Sequence, residues 1–166
     1  MRVAVFASSL VLGVGLASAA TPEIQRPVGT PQANGVTHLA RGIPEACAWL
    51  EGTFTGDAKT PYKLTPVRSS PTCQARARLL NPEKAKPSEA SGWKLNDVVH
   101  IPSKDCQGLQ AVVEIWRLQA DAKTLKLDEQ GRARLYLQDA KAAAGKAAPT
   151  PAYTAKLAIE GKPCGG

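Results

Sequence analysis

The chain has 166 residues, is 43% apolar and 5% aromatic, and carries 21 Lys+Arg against 14 Asp+Glu, a formal net charge of +7. It is too short for two ordinary domains once an export segment is set aside, and too apolar to be wholly disordered. No second long apolar run follows the first, so the chain is not polytopic, and 2 His and 1 Met leave little material for a histidine-rich metal site.

Residues 1–20 read as a secretory signal peptide. Met1-Arg2 is a short positive start, Val3 to Leu16 is apolar, and Ala17-Ser18-Ala19-Ala20 supplies small residues for cleavage after Ala19 or Ala20. The apolar run is about 14 residues, short of the ~20 that span a bilayer. No Cys follows it, which argues against a lipoprotein anchor. The pattern places the protein in the bacterial periplasm or the medium, with no transmembrane segment after cleavage. Without Arg2 the chain keeps 20 basic and 14 acidic residues, net +6. That balance favours an acidic protein or an anionic envelope component as partner, and not nucleic acid in an exported setting.

Residues 21–42 hold Pro22, Pro27 and Pro31 with three Gly and no apolar periodicity, the composition of an extended, flexible leader that leaves His38 solvated. From residue 43 to 166 a single β domain is expected. Ala46 to Thr55 is a strand candidate, followed by a turn at Gly56-Asp57. Tyr62 to Val67 is a second strand, which Pro66 marks as an edge or an early end. Cys73 to Leu80 alternates cleanly, with Cys73, Ala75, Ala77 and Leu79 on one side and Gln74, Arg76 and Arg78 on the other, the pattern of a half-buried antiparallel strand. Residues 81–91 read as a surface loop with one helical turn.

Trp93 to Ile101 is the next strand, closed by Pro102. Leu109 to Gln119 is apolar on both faces and so suits the centre of a sheet. Short turns then suggest a meander through 123–127 and 132–138. Residues 139–151 are Ala/Lys-rich, and Tyr153 to Glu160 alternates once more, with Tyr153, Ala155, Leu157 and Ile159 inward. The sum is an all-β fold, an antiparallel sandwich or small barrel of about seven or eight short strands.

Four cysteines, Cys47, Cys73, Cys106 and Cys164, stand 26, 33 and 58 residues apart, with no Cys-x-x-Cys pair. An even count in an exported chain reads as a disulfide framework. If strands alternate up and down, Cys47 and Cys73 fall at one end and so do Cys106 and Cys164. Parity permits other pairings; short-range closure favours Cys47–Cys73 and Cys106–Cys164.

Motifs for catalysis are missing. His100, Ser103 and Asp97 lie within seven residues on one strand, which cannot turn them towards one another as a triad. No nucleophile elbow, zinc motif, phosphate loop or calcium loop occurs, and no cofactor or metal is expected. For binding, Arg76-Ala77-Arg78-Leu79 recurs as Arg132-Ala133-Arg134-Leu135. If those strands share a sheet, four guanidinium groups form one basic patch suited to carboxylate or phosphate. The preferred reading is a non-enzymatic binding protein, of inhibitor or immunity type, in the bacterial envelope. A second reading is a periplasmic or secreted hydrolase whose Glu51, Asp97 or Glu114 lines a cleft. A third is a carbohydrate- or envelope-polymer-binding module with an exposed Trp93 beside Asn96 and Asp97.

Overall fold

A computed structural model describes residues 21–118 and 151–164. The described chain runs β1 (Ile24–Gln25), β2 (Thr37–Ile43), β3 (Ala48–Phe54), β4 (Tyr62–Arg68), β5 (Arg78–Leu79), one helical turn α1 (Pro82–Ala85), β6 (Trp93–Pro102), β7 (Leu109–Leu118) and β8 (Ala152–Gly161). The strands form a five-stranded sheet in the order β1-β6-β7-β8-β5 and a three-stranded sheet in the order β2-β3-β4. The all-β expectation holds as two packed open sheets, not a closed barrel. The signal-peptide residues, the strands expected at 123–127 and 132–138, and the Arg132/Arg134 pair lie outside the described residues.

The strand β7 is central, as its two apolar faces require. It pairs antiparallel with β6 on one edge and β8 on the other along its whole length. Residues 103–108 join β6 to β7 as a short connection. Ala111, Val113 and Ile115 point from β7 into the main core. There they meet Val99 and Ile101 of β6 and, from the opposing sheet, Ile43, Leu50, Phe54 and Tyr62. Burying such side chains contributes roughly 1.5–3 kcal/mol each and binds the sheets together.

Pro66 marks an edge, as expected. The bonds Thr55 N–H to Pro61 O and Ser69 N–H to Cys47 O set the phase of the β3–β4 ladder. Pro66, opposite Leu50, then falls at a position whose N would point away from β3, so its missing donor breaks no bond. It also interrupts the free edge against pairing with another chain.

The leader differs from expectation. Its residues 23, 26, 29 and 32 donate N–H bonds to the carbonyls of Asn96, Val98, His100 and Pro102. The leader therefore advances three residues for every two on β6, and Pro27 and Pro31 fall among the residues that donate nothing. Gly29 lets the strap approach: a Cβ there would sit 3.3 Å from the His100 carbonyl oxygen. Past the strap, residues 37–43 form β2, antiparallel to β3, with a bulge between Leu39 and Arg41.

Both disulfides pair as favoured, Cys47–Cys73 and Cys106–Cys164, with Cα atoms 5.8 and 5.6 Å apart. By the loop-entropy relation they contribute about 3.5 and about 4 kcal/mol. The inward alternation of β8 fades along its length. Tyr153 is buried, while Leu157 and Ile159 remain 39% and 37% exposed, because a three-stranded sheet does not cover a five-stranded one. Thr154, expected outward, is fully buried and donates its hydroxyl to the Leu80 carbonyl at 2.8 Å.

Candidate binding surfaces

The segment 73–80 is not the half-buried antiparallel strand that its alternation suggests. Only Arg78 and Leu79 are in strand, and they pair parallel to β8. Other constraints hold the segment. Cys73 is tied to Cys47, and the N–H groups of Arg76 and Ala77 both bond to the Glu45 carbonyl at 2.8 and 2.9 Å. Arg78 N–H bonds to Pro151 O and Leu80 N–H to Tyr153 O. The Arg68 guanidinium spans the preceding loop, donating to the carbonyls of Ser70, Pro71 and Cys73. Ala77 is buried, and Arg76 and Arg78 are exposed on either side of it. Among the described residues neither forms an ion pair. The alternation thus placed Ala77 inside and Arg76 and Arg78 outside correctly, but not the ladder, and Ala75, expected inward, is exposed.

The structure corrects the place given to Trp93. It is 3% exposed and packs with Trp116 and Ala152, against Leu80, Ala85 and Leu118. A register shift between Trp93 and Leu95 turns it to that side. The sugar-binding reading asked for an exposed Trp93 and loses that observation. The half-buried tryptophan is Trp49. Leu50, Gly52 and Phe54 of β3 face the core, so Trp49, Glu51 and Thr53 face away from it. Across the sheet the outward rows are Gly42–Trp49–Val67, Leu39–Glu51–Thr65 and Thr37–Thr53–Lys63. The Trp49 indole N–H donates to Glu51 Oε1 at 2.8 Å, which fixes the ring along the strand.

The three carboxylates proposed for a hydrolytic cleft do not converge. Glu51 accepts from Trp49, and Glu114 accepts from Trp116 Nε1 at 3.3 Å. Asp97 is 1% exposed and lies between the sheets. Its Oδ2 meets Arg41 of β2 at 3.2 Å and Arg26 of the leader at 3.4 Å, while Oδ1 is buried without a partner among the described residues. This pair of arginines ties leader, β2 and β6 together. Nothing in the sequence flags it, because Arg26 and Arg41 lie 71 and 56 residues from Asp97.

His38, expected to be solvated, is half-buried instead. Its Nε2 lies 3.0 Å from the Tyr62 hydroxyl, and its ring stacks near Phe54, with centroids 6.3 Å apart. The hydroxyl passes over β3 at Gly52, where any Cβ would collide with it. Burial lowers the His38 pKa, which the Val36 backbone offsets in part, and burial pushes the Tyr62 phenol up. Among the described residues, the buried Nδ1 makes no hydrogen bond of good geometry.

A cavity of about 460 Å³ opens at the corner that the three-stranded sheet leaves uncovered. The β3–β4 turn, the β6–β7 turn and the tail at the Cys106–Cys164 disulfide border it, with Leu109 and Ile159 on its apolar side. Asp57 at its rim is held below the usual carboxylate range by the Lys59 backbone N–H and then the Thr60 hydroxyl. A second cavity, about 360 Å³, lies beside Cys47–Cys73. Neither is lined by Glu51, Asp97 or Glu114.

No protein family matches the chain, no curated protein matches it, and no solved structure matches it. Two disulfides are compatible with an extracellular or periplasmic protein. Among the described residues no helix is long and apolar enough to cross a membrane.

Proposed function

We propose that this is an exported, non-enzymatic binding protein that docks an acidic macromolecule, of the inhibitor or immunity type, in the bacterial envelope. One observation carries the reading: Arg76 and Arg78 are exposed on a backbone held by a disulfide and by bonds to Glu45 and Pro151. A guanidinium presents a forked set of donors that matches a carboxylate. A backbone already fixed in place loses less entropy on binding than a free loop does. The hydrolase reading lacks comparable support, since Asp97 is ion-paired between the sheets and both Glu carboxylates accept from indoles.

The test uses the chain without residues 1–20 as bait on native envelope and culture fractions. A matched Arg76→Gln/Arg78→Gln bait runs alongside, both at low and moderate salt. The proposal expects one stoichiometric acidic partner on the wild-type bait, weakened by salt and reduced roughly tenfold or more on the variant. A partner held equally by both baits, or none at either salt, overturns it.

A further inference from the structure

The arginine segment borders the cavity at the Cys47–Cys73 disulfide, and the two together define what a partner must present. We infer that this cavity takes one apolar side chain of the acidic partner, a Leu or Phe flanked by carboxylates that reach Arg76 and Arg78. This anchor rests on the docking reading above and deepens it. The cavity holds about 360 Å³, near the low end for binding pockets, which suits one large side chain. Ala46, Ala48, Pro66, Val67 and Ala75 line it together with the disulfide. Three of these five are alanines, whose side chains stop at Cβ and leave the room open. Ala75 immediately precedes Arg76, so the first guanidinium springs from the cavity's rim. The disulfide and the two bonds to the Glu45 carbonyl fix that rim before any partner arrives.

Charge selects the occupant. Arg68 also lines the cavity, its guanidinium held by the carbonyls of Ser70, Pro71 and Cys73 at 2.9, 3.0 and 3.2 Å. Among the described residues Arg68, Arg76 and Arg78 form no ion pair. The segments 45–48, 66–68 and 73–78 carry these three arginines and one acid, Glu45, net +2. A free carboxylate or phosphate would use the guanidinium groups and leave the apolar walls wet. An uncharged apolar ligand would fill the walls and leave the arginines unused. An apolar side chain between carboxylates uses both. An anchor seated in a pocket and ringed by polar contacts is also the arrangement that carries most of the energy of protein interfaces. Val67 continues the apolar wall outwards, since it stands in the same row as Trp49 and Gly42. A partner chain leaving the cavity therefore meets apolar surface, as the centre of a protein interface does.

The experiment titrates three end-blocked pentapeptides into the chain without residues 1–20 at low salt. They are Glu-Asp-Leu-Asp-Glu, the same peptide with Ser at its centre, and Gln-Asn-Leu-Asn-Gln. Vesicles of an anionic phospholipid are a fourth probe, and amide NMR shifts report binding and its place. The first peptide should bind saturably at about 1 mM or tighter and move the amides of Ala48, Val67 and Ala75. The Ser-centred peptide should bind roughly fivefold or more weakly, and so should the neutral one. Ala75→Leu adds a side chain at an exposed position of the wall, so the protein stays folded, and it should bring the first peptide down to the level of the Ser-centred one. Equal binding of the Leu- and Ser-centred acidic peptides, lost in Arg76→Gln/Arg78→Gln, overturns the anchor and leaves the docking reading standing. Equal binding of the acidic and neutral Leu peptides, indifferent to those arginines, overturns both. A first peptide that does not saturate in that range, or vesicles that bind in its place, overturns the anchor and leaves docking to the capture test.

Discussion

Each sheet carries a tryptophan hydrogen-bonded to a glutamate two residues away on the same strand, Trp49 with Glu51 on β3 and Glu114 with Trp116 on β7. Both pairs arise from the same strand geometry, since residues i and i+2 project from one face. Their surroundings differ. Trp116 is 5% exposed, packed with Trp93 and Ala152, with Lys156 Nζ 5.9 Å from its ring centre. Trp49 has Gly42 on one flank and keeps an open side. What the chain lays over a sheet, not the motif on the strand, decides whether the pair is packed inside or keeps an open side. Over the five-stranded sheet, Leu80 and Ala85 close on the Trp93–Trp116 cluster, and the Leu80 carbonyl accepts from buried Thr154.

The contrast makes a sharp prediction at the level of stability. Trp116→Ala should lower unfolding free energy by about 3–5 kcal/mol, as removing a packed aromatic does. Trp49→Ala should lower it by less, about 1–2 kcal/mol, since part of the ring already meets water. Urea denaturation of the two variants measures both. Equal losses would mean that the two faces are equally closed.

A smaller effect probes what holds the two sheets in register. Asp97→Asn removes the charge that faces Arg26 and Arg41, and breaking a buried pair on one side is destabilising. About 3 kcal/mol is expected, at the low end because both arginines keep some contact with water. Hydrogen exchange should show the leader amides of Arg26 and Gly29 opening first. A variant in which those amides stay protected would place the clamp elsewhere.

The smallest effect is one of pH, and it belongs to the three-stranded sheet alone. His38 has a folded-state pKa lowered by burial, so the unfolded chain binds more protons just below the ordinary histidine value. Stability contributed by neutral His38 is therefore full above about pH 6.5 and declines as pH falls through that value towards the folded pKa. Thermal midpoints of wild type should drop over that window. His38→Gln, which keeps a polar partner for Tyr62, should flatten the decline. An identical slope in both proteins would assign the titration to another group.

Much of the frame was legible in the sequence. Short runs bounded by turn residues located β3, β4, β6 and β7, and alternation located β8; Pro66 marked an edge, and strand parity with short closure gave both disulfides. The leader was not legible, because one bond for every three residues leaves no period-two signal and its acceptors are backbone carbonyls some 70 residues away. Sequence neighbours misled at Trp93: Asn96 and Asp97 follow it closely, but the intervening bulge and the burial of Asp97 separate them in role. The cross-strand neighbours of Trp49, Gly42 and Val67, come from β2 and β4, so only the register reveals them.

The comparison rests on Trp49 being the tryptophan that solvent reaches, and iodide quenching of tryptophan emission tests that most directly. Wild-type protein should show a quenchable fraction of its emission, and Trp49→Phe should abolish that fraction while the protein stays folded. Quenching that persists undiminished in Trp49→Phe would show that Trp93 or Trp116 is the exposed ring and contradict the account.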